Sequence, residues 1–254
     1  LRDTIATAAR WDELAATRPQ VEMFDEMALI TASIVLKAIF STESSDDILQ
    51  IKEDVEKMIG YVGMQAKNLF KLPHWLPTPD NMDYRQARDR VHAYINGILD
   101  ARLDMDEDDY PNDLLSKLIT AEDSETGQRM TRKLLLDESL TNFFAGYETS
   151  ARAMSFAWFT LARNPEVKAR LHEELDQVLG DETPTLDTLK KLPYTLRVIK
   201  ETLRLYPPAP MYAKDVVADD VIDGYPIEKG TVMIVMPYFT HRHPEFWEDP
   251  LRFE

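Results

Sequence analysis

The chain has 254 residues, 44% of them hydrophobic, and sets 29 lysines and arginines against 45 aspartates and glutamates for a formal charge of −16. That is enough chain for one large domain with a substantial core, and its acidity excludes nucleic acid or an anionic membrane as a general partner, since both select clustered cations. The sequence contains no cysteine, which excludes a disulfide or a thiolate site within these residues and agrees with a cytoplasmic location.

After a leading segment containing Trp11, the residues Phe24, Met27, Ile30, Thr31, Ile34, Val35, Ala38 and Ile39 recur at helical spacing with little polar face, which predicts a helix buried on several sides. The apolar run from Met27 to Phe40 is too short for a bilayer and is broken by Lys37. No stretch reads as a membrane span or signal peptide, and a chain opening on Leu1 leaves an upstream anchor or targeting segment open. A second helix is expected from Ser45-Asp46-Asp47, with Ile48, Ile51, Val55, Met58, Ile59 and Val62 as its stripe. The prolines of Leu72-Pro73-His74-Trp75-Leu76-Pro77-Thr78-Pro79 forbid regular helix before a long one carrying Tyr84, Ala87, Val91, Tyr94, Ile95, Ile98 and Leu99.

The acidic run Asp104–Asp109 reads as a solvated loop without a site. A short helix with Leu114, Leu115, Leu118 and Ile119 follows, and Thr131 then caps a helix reaching Arg163, which at 1.5 Å per residue is roughly 45–50 Å long. Asn164 as N-cap, with Pro165 at the first helical position, starts a helix striped with Val167, Leu171, Leu175 and Val178 and stopped by Gly180. The last clear helix begins near Pro193 and ends before Pro207-Pro208. From Met211 the pattern turns to strands: Met211 to Val217, a turn at Asp223-Gly224, Tyr225 to Ile227, a Lys229-Gly230 turn, and Thr231 to Met236. The expectation is a single domain over residues 1–254, mainly α with a small antiparallel β-sheet: a helical body over about 1–207 and a β-rich segment over about 211–254.

Two places carry chemistry. On the long helix, Phe143-Phe144-Ala145-Gly146 precedes Glu148-Thr149, and a threonine hydroxyl can bond the carbonyl four residues back, here that of Ala145, which loosens the helix. A hydroxyl beside a carboxylate at such a groove suits holding dioxygen or water and passing protons, and a Thr and Gly tolerated in a core helix is the plainer alternative. On the last helix, Glu201 and Arg204 share a face at i and i+3. Leu196, Ile199 and Leu203 are expected to bury that helix nearby. His241 and His243, at i and i+2, have neither helical-face nor zinc spacing, and Met154, Phe156, Trp158 and Phe159 read as core.

In series, the small-Gly-x-acid-Thr segment, Asn164-Pro165-Glu166, Glu201-x-x-Arg204 before Pro207-Pro208, Gly224-Tyr225-x-Ile227-x-Lys229-Gly230 and His241-Arg242-x-Pro244-x-x-Trp247 resemble the cytochrome P-450 family of haem-thiolate monooxygenases. The resemblance is weak over residues 1–110, although Trp75-Leu76-Pro77-Thr78-Pro79 is similar to a segment of many soluble bacterial members, and strong over 131–254. It implies the incomplete helical fold of that family, with haem b iron present only in the complete protein. It also implies electrons from NAD(P)H through a ferredoxin or flavoprotein reductase, and one oxygen atom of O2 inserted into a hydrophobic small molecule. Residue by residue it assigns Ala145 and Gly146 to the oxygen and haem groove and Glu148 and Thr149 to proton delivery. Glu201 and Arg204 become a structural pair, Phe143, Phe144, Pro208, Ala209, Pro210 and Met211 the substrate pocket, and Lys214 a haem propionate contact. The family's cysteine ligand is expected beyond Glu254, together with a third partner of the Glu201–Arg204 cluster, so the chain reads as a central fragment, inactive by itself. A haem-free, non-catalytic scaffold or binding protein is the alternative. Peroxide-driven chemistry is a third, against which Glu148-Thr149 argues.

Overall fold

The computed structural model describes residues 2–17, 20–42, 46–67, 73 and 75–254. The helix-start residue Ser45, and Leu72 and His74 of the proline-rich stretch, lie outside the described residues. Two compact units emerge, Leu1–Ala151 and Arg152–Glu254.

The first unit contains α1 (Arg2–Ala15), α2 (Met23–Phe40), α3 (Asp46–Lys67), α4 (Pro79–Leu103), α5 (Leu114–Thr120) and most of α6 (Arg132–Arg163). Its core is apolar and drawn from every helix but the first: Leu36 and Phe40 from α2, Val55 from α3, Val91, Ile95 and Leu99 from α4, Leu115 from α5 and Phe143 from α6 are all buried. Helix starts follow capping chemistry. Thr78 accepts from the Asn81 amide before Pro79, and Thr131 accepts from the Leu134 amide at 3.2 Å. Charged groups enter the core only in pairs. Arg102 and Asp113 meet at 2.8 Å through both oxygens, Arg102 also bonds Ser116 and the Phe40 carbonyl, and the buried Asp54 accepts from Arg90. The buried Asn81 donates to the carbonyls of Pro73 and Leu76 and accepts from Tyr61, fixing the entry into α4.

The second unit contains the end of α6, then α7 (Pro165–Val178), α8 (Leu186–Leu189), α9 (Pro193–Leu205), β1 (Tyr212–Asp215), β2 (Asp220–Ile222), β3 (Tyr225–Ile227), β4 (Val232–Val235) and α10 (Pro237–Thr240). Strands β1 and β4 pair antiparallel with Tyr212 opposite Val235, and β2 and β3 form a separate hairpin with Ile222 opposite Tyr225. Its turn uses the left-handed region at Asp223 and Gly224, with φ of 50° and 82°. The fold is thus mainly helical with small antiparallel sheets, as expected, except that the strands divide into two pairs.

Three readings are corrected. Asn164 does occupy the N-cap position of α7, with Pro165 after it, but its side chain makes no capping bond: its amide donates to the Thr160 carbonyl at 2.7 Å, one of the carbonyls left without a partner at the end of α6. Leu196, Ile199 and Leu203 are exposed, and α9 instead buries Val198, Thr202 and Leu205. Burial of Thr202 costs little because its hydroxyl bonds the Val198 carbonyl at 2.9 Å and lies 3.4 Å from that of Thr160. Trp158 and Phe159 are also exposed rather than core, while Phe156 stacks on Tyr206 at 4.6 Å.

Candidate functional site

In the first unit, residues 143–149 form two consecutive turns of α6. Phe143 is buried and stacks on Tyr147 with centroids 5.4 Å apart, and Phe144 is half-buried against it. Ala145 and Thr149, four residues apart, share an exposed face, and the Thr149 hydroxyl donates to the Ala145 carbonyl at 2.6 Å. That carbonyl is therefore asked to serve a side chain as well as the helix, while the hydroxyl oxygen keeps its lone pairs for an outside donor. Glu148 is half-buried beside it in sequence. Gly146 faces elsewhere. A Cβ built on it would stand 3.2 Å from Val35 Cγ2, so the missing side chain lets α2 approach α6.

In the second unit, Arg204 reads as a finished clamp. Its Nε and Nη2 grip Glu201 at 2.8 and 2.7 Å, its Nη1 donates to the carbonyls of His241 and Pro250, and its Nη2 also donates to that of Arg252, each at 2.8 Å. All five N–H donors of the guanidinium are used within the chain. The Trp247 ring covers its face at 4.5 Å, and Glu201 additionally accepts the Glu254 amide at 2.9 Å. Burial pushes the Glu201 carboxyl up, but the bonds from Arg204 and Glu254 outweigh it and hold its pKa below the ordinary value. The segment after β4 is thereby tied to the end of α9. Two further contacts reinforce the tie: Arg242 donates to the Leu205 carbonyl, and His241 Nδ1 lies 3.2 Å from the Arg204 carbonyl.

The remaining predicted site residues lie on the segment leaving α9. Pro208 is half-buried, Ala209, Pro210 and Met211 are exposed, and Lys214 sits on β1, exposed, with Nζ 5.9 Å from the Tyr212 ring. Within the first unit the structure joins Thr149 to Ala145, with Glu148 next to Thr149 in sequence; within the second it joins Glu201 to Arg204. Sequence reasoning missed the carbonyl partners of Arg204, because a backbone oxygen carries no residue signature. It also missed Glu174, whose carboxylate on α7 accepts from the Tyr194 and Thr195 amides at 2.7 Å and so caps α9 from another helix. The signal was available: α9 opens on Leu192-Pro193 with no capping side chain of its own.

The family profile of cytochrome P-450 matches residues 4–254. Cyclooctatin synthase of Streptomyces melanosporofaciens is 32% identical over 254 residues, covering 100% of this chain and 54% of that protein. Pentalenene oxygenase of Streptomyces avermitilis is 32% identical over 256 residues, covering 98% and 54%. The chain therefore spans about half the length of the curated relatives it matches. Among solved structures, the cytochrome P450DA haem domain superposes with a TM-score of 0.86 at 24% identity, covering 100% of this chain and 55% of that one, a likeness of fold. A profile match over nearly every residue, from 4 to 254, places this chain in the cytochrome P-450 family.

Proposed function

We propose that this chain is the central part of a haem-thiolate monooxygenase that inserts one oxygen atom of O2 into a hydrophobic organic substrate. The observation that carries the reading is the Thr149 hydroxyl bonded back to the Ala145 carbonyl on an exposed face of a long helix. The fit to haem is one-sided. Ala145 and Thr149 offer a flat face of small side chains on which a macrocycle could rest, whereas the 254 residues contain no cysteine to ligate its iron. When bound, the haem supplies the activation of dioxygen.

The chain's own residues handle protons. Re-aiming the Thr149 proton from the Ala145 carbonyl to an outside acceptor breaks one hydrogen bond, a net cost of about 1 kcal/mol. The proton is replaced through water from Glu148. In the first unit Phe144 offers apolar surface to a substrate; in the second the Pro208–Met211 segment does so by itself, and Lys214 is the cation for a propionate, by point charge rather than a bidentate fork. Haem b as the form of the group, NAD(P)H as the electron source, a ferredoxin or flavoprotein reductase as carrier and a cytoplasmic setting complete the proposal. The name of the pentalenene oxygenase supports an apolar substrate.

The test uses the complete enzyme. Thr149→Ala, at an exposed site, leaves haem content unchanged but lowers product formed per nicotinamide oxidised by about tenfold or more, with peroxide making up the difference. Thr149→Ser restores coupling. Unchanged coupling in Thr149→Ala removes the proton-delivery role. A second reading, a haem-free binding scaffold, is sustained if the complete protein takes up no haem.

A further inference from the structure

Gly146 lies inside the acid–threonine turn: its nitrogen belongs to the same peptide unit as the Ala145 carbonyl that receives the Thr149 hydroxyl at 2.6 Å. A side-chain hydrogen bond back to a helical carbonyl competes with the helix ladder and bends it. Glycine resists such a tilt less than any other residue, because it has no Cβ to restrict its backbone. The 145–146 peptide is therefore the softest unit of the turn, and its position depends on what stands behind it.

Val35 on α2 stands there. A Cβ built on Gly146 would meet Val35 Cγ2 at 3.2 Å and Cγ1 at 3.3 Å, so the direction of the missing side chain runs between the two methyls rather than against one of them. A valine in a helix has one strongly preferred rotamer, so neither methyl turns aside at low cost. The helix that carries Val35 is itself anchored within the first unit. Leu36 and Phe40 are buried in the core, Lys37 pairs with Asp3 of α1 at 2.5 Å, and the Phe40 carbonyl accepts from Arg102 of α4 at 3.0 Å. On α6 the neighbours Phe143 and Tyr147 are buried as well, which leaves the glycine peptide as the part free to move.

We infer that Val35 is a positioning residue for the acid–threonine turn: its two methyls bear on the backbone at Gly146 and set how far the Ala145 carbonyl tilts toward the Thr149 hydroxyl, and with it the direction that hydroxyl faces. The inference rests on the proton-delivery reading of Thr149. It gives an apolar residue of α2, with no polar atom in its side chain, control over the alignment of that proton transfer.

The test compares complete enzymes at a temperature well below unfolding. Val35→Ala keeps its haem, but product formed per nicotinamide oxidised falls about threefold or more through misalignment, with peroxide released in its place. Amide hydrogen exchange over residues 145–149, which needs no turnover, quickens in the same variant. Adding Gly146→Ala returns a methyl to the gap from the other helix, and both readouts move back toward those of the unsubstituted enzyme. Val35→Thr, which keeps the branched shape, stays coupled. Ile39→Val, a methyl deletion at a buried position elsewhere on α2, lowers thermal stability and leaves coupling unchanged. Uncoupling in Ile39→Val equal to that in Val35→Ala, loss of haem from Val35→Ala, or no recovery in the double variant would reduce the role to general packing and overturn the proposal. Unchanged coupling in Val35→Ala while Thr149→Ala uncouples overturns the positioning role and leaves proton delivery standing. No effect of Thr149→Ala itself removes that reading, and this inference with it.

Discussion

Arg204 illustrates how much one side chain can hold. Its guanidinium is 7% exposed and satisfies five donors on a carboxylate and three carbonyls drawn from residues 201–252. Arg204→Ala removes that hub and strands a largely buried carboxylate, so a loss of about 3–5 kcal/mol is expected in urea unfolding. Arg204→Lys recovers little of it, because three ammonium protons cannot reproduce the fork. A change under about 1 kcal/mol in Arg204→Ala would show that the clamp is ornamental. Asp113 makes the corresponding argument for pH. Burial opposes its ionisation, but Arg102 and the Ser116 amide lower its pKa from 3.8 to about 2. Since the folded value lies below the unfolded one, its contribution is complete above about pH 4 and fades as pH falls toward 2, a loss of about 2–3 kcal/mol. In Asp113→Asn the acid-dependent part of unfolding over that interval shrinks by this amount; an unchanged pH profile would contradict the assignment.

At the level of elements, α6 and α9 show what a sequence tells and withholds. The cap of α6 and the start and stop of α7 were legible, because Thr131, Pro165 and Gly180 act through their own backbone and side-chain chemistry. So was the Thr149 bond, which spans a single turn. The inward face of α9 was not. Leu196, Ile199 and Leu203 fit helical spacing as well as Val198, Thr202 and Leu205 do, and the choice rests on a hydroxyl contact across 42 residues. Gly146 drew notice as a residue that eases distortion of the helix, whereas the structure uses its missing side chain for the close approach of Val35, more than a hundred positions away in sequence. In Gly146→Ala the gain in helix propensity, about 1 kcal/mol, opposes a contact with a β-branched neighbour that has one favoured rotamer. The single variant is therefore expected to be near neutral, and in a Val35→Ala background the same change stabilises by about 0.5–1 kcal/mol. Additivity of the two substitutions in thermal unfolding would rule out the contact.

At the level of the molecule, the class of the fold and the order of the longer helices from α2 onward were readable because helical periodicity, turn residues and the series of motifs agree with one another, whereas α1, α8, β2 and α10 were not foreseen. What stayed hidden was long-range: which carbonyls close on Arg204, which helix caps α9, and the division of the strands into two pairs. No described helix is long and apolar enough to cross a membrane. The proposal to be tested is a haem-thiolate enzyme in which α6 would carry the oxygen groove and residues other than these 254 would supply the sulfur ligand. The direct measurement is the absorption spectrum of the reduced, carbon monoxide-bound protein, taken on this chain and on the complete polypeptide that contains it. The account predicts the red-shifted Soret band of a thiolate-ligated haem from the complete polypeptide and none from the 254-residue chain. A thiolate-type band from the 254 residues, or its absence from a complete polypeptide that carries the cysteine loop and has taken up haem, would contradict it.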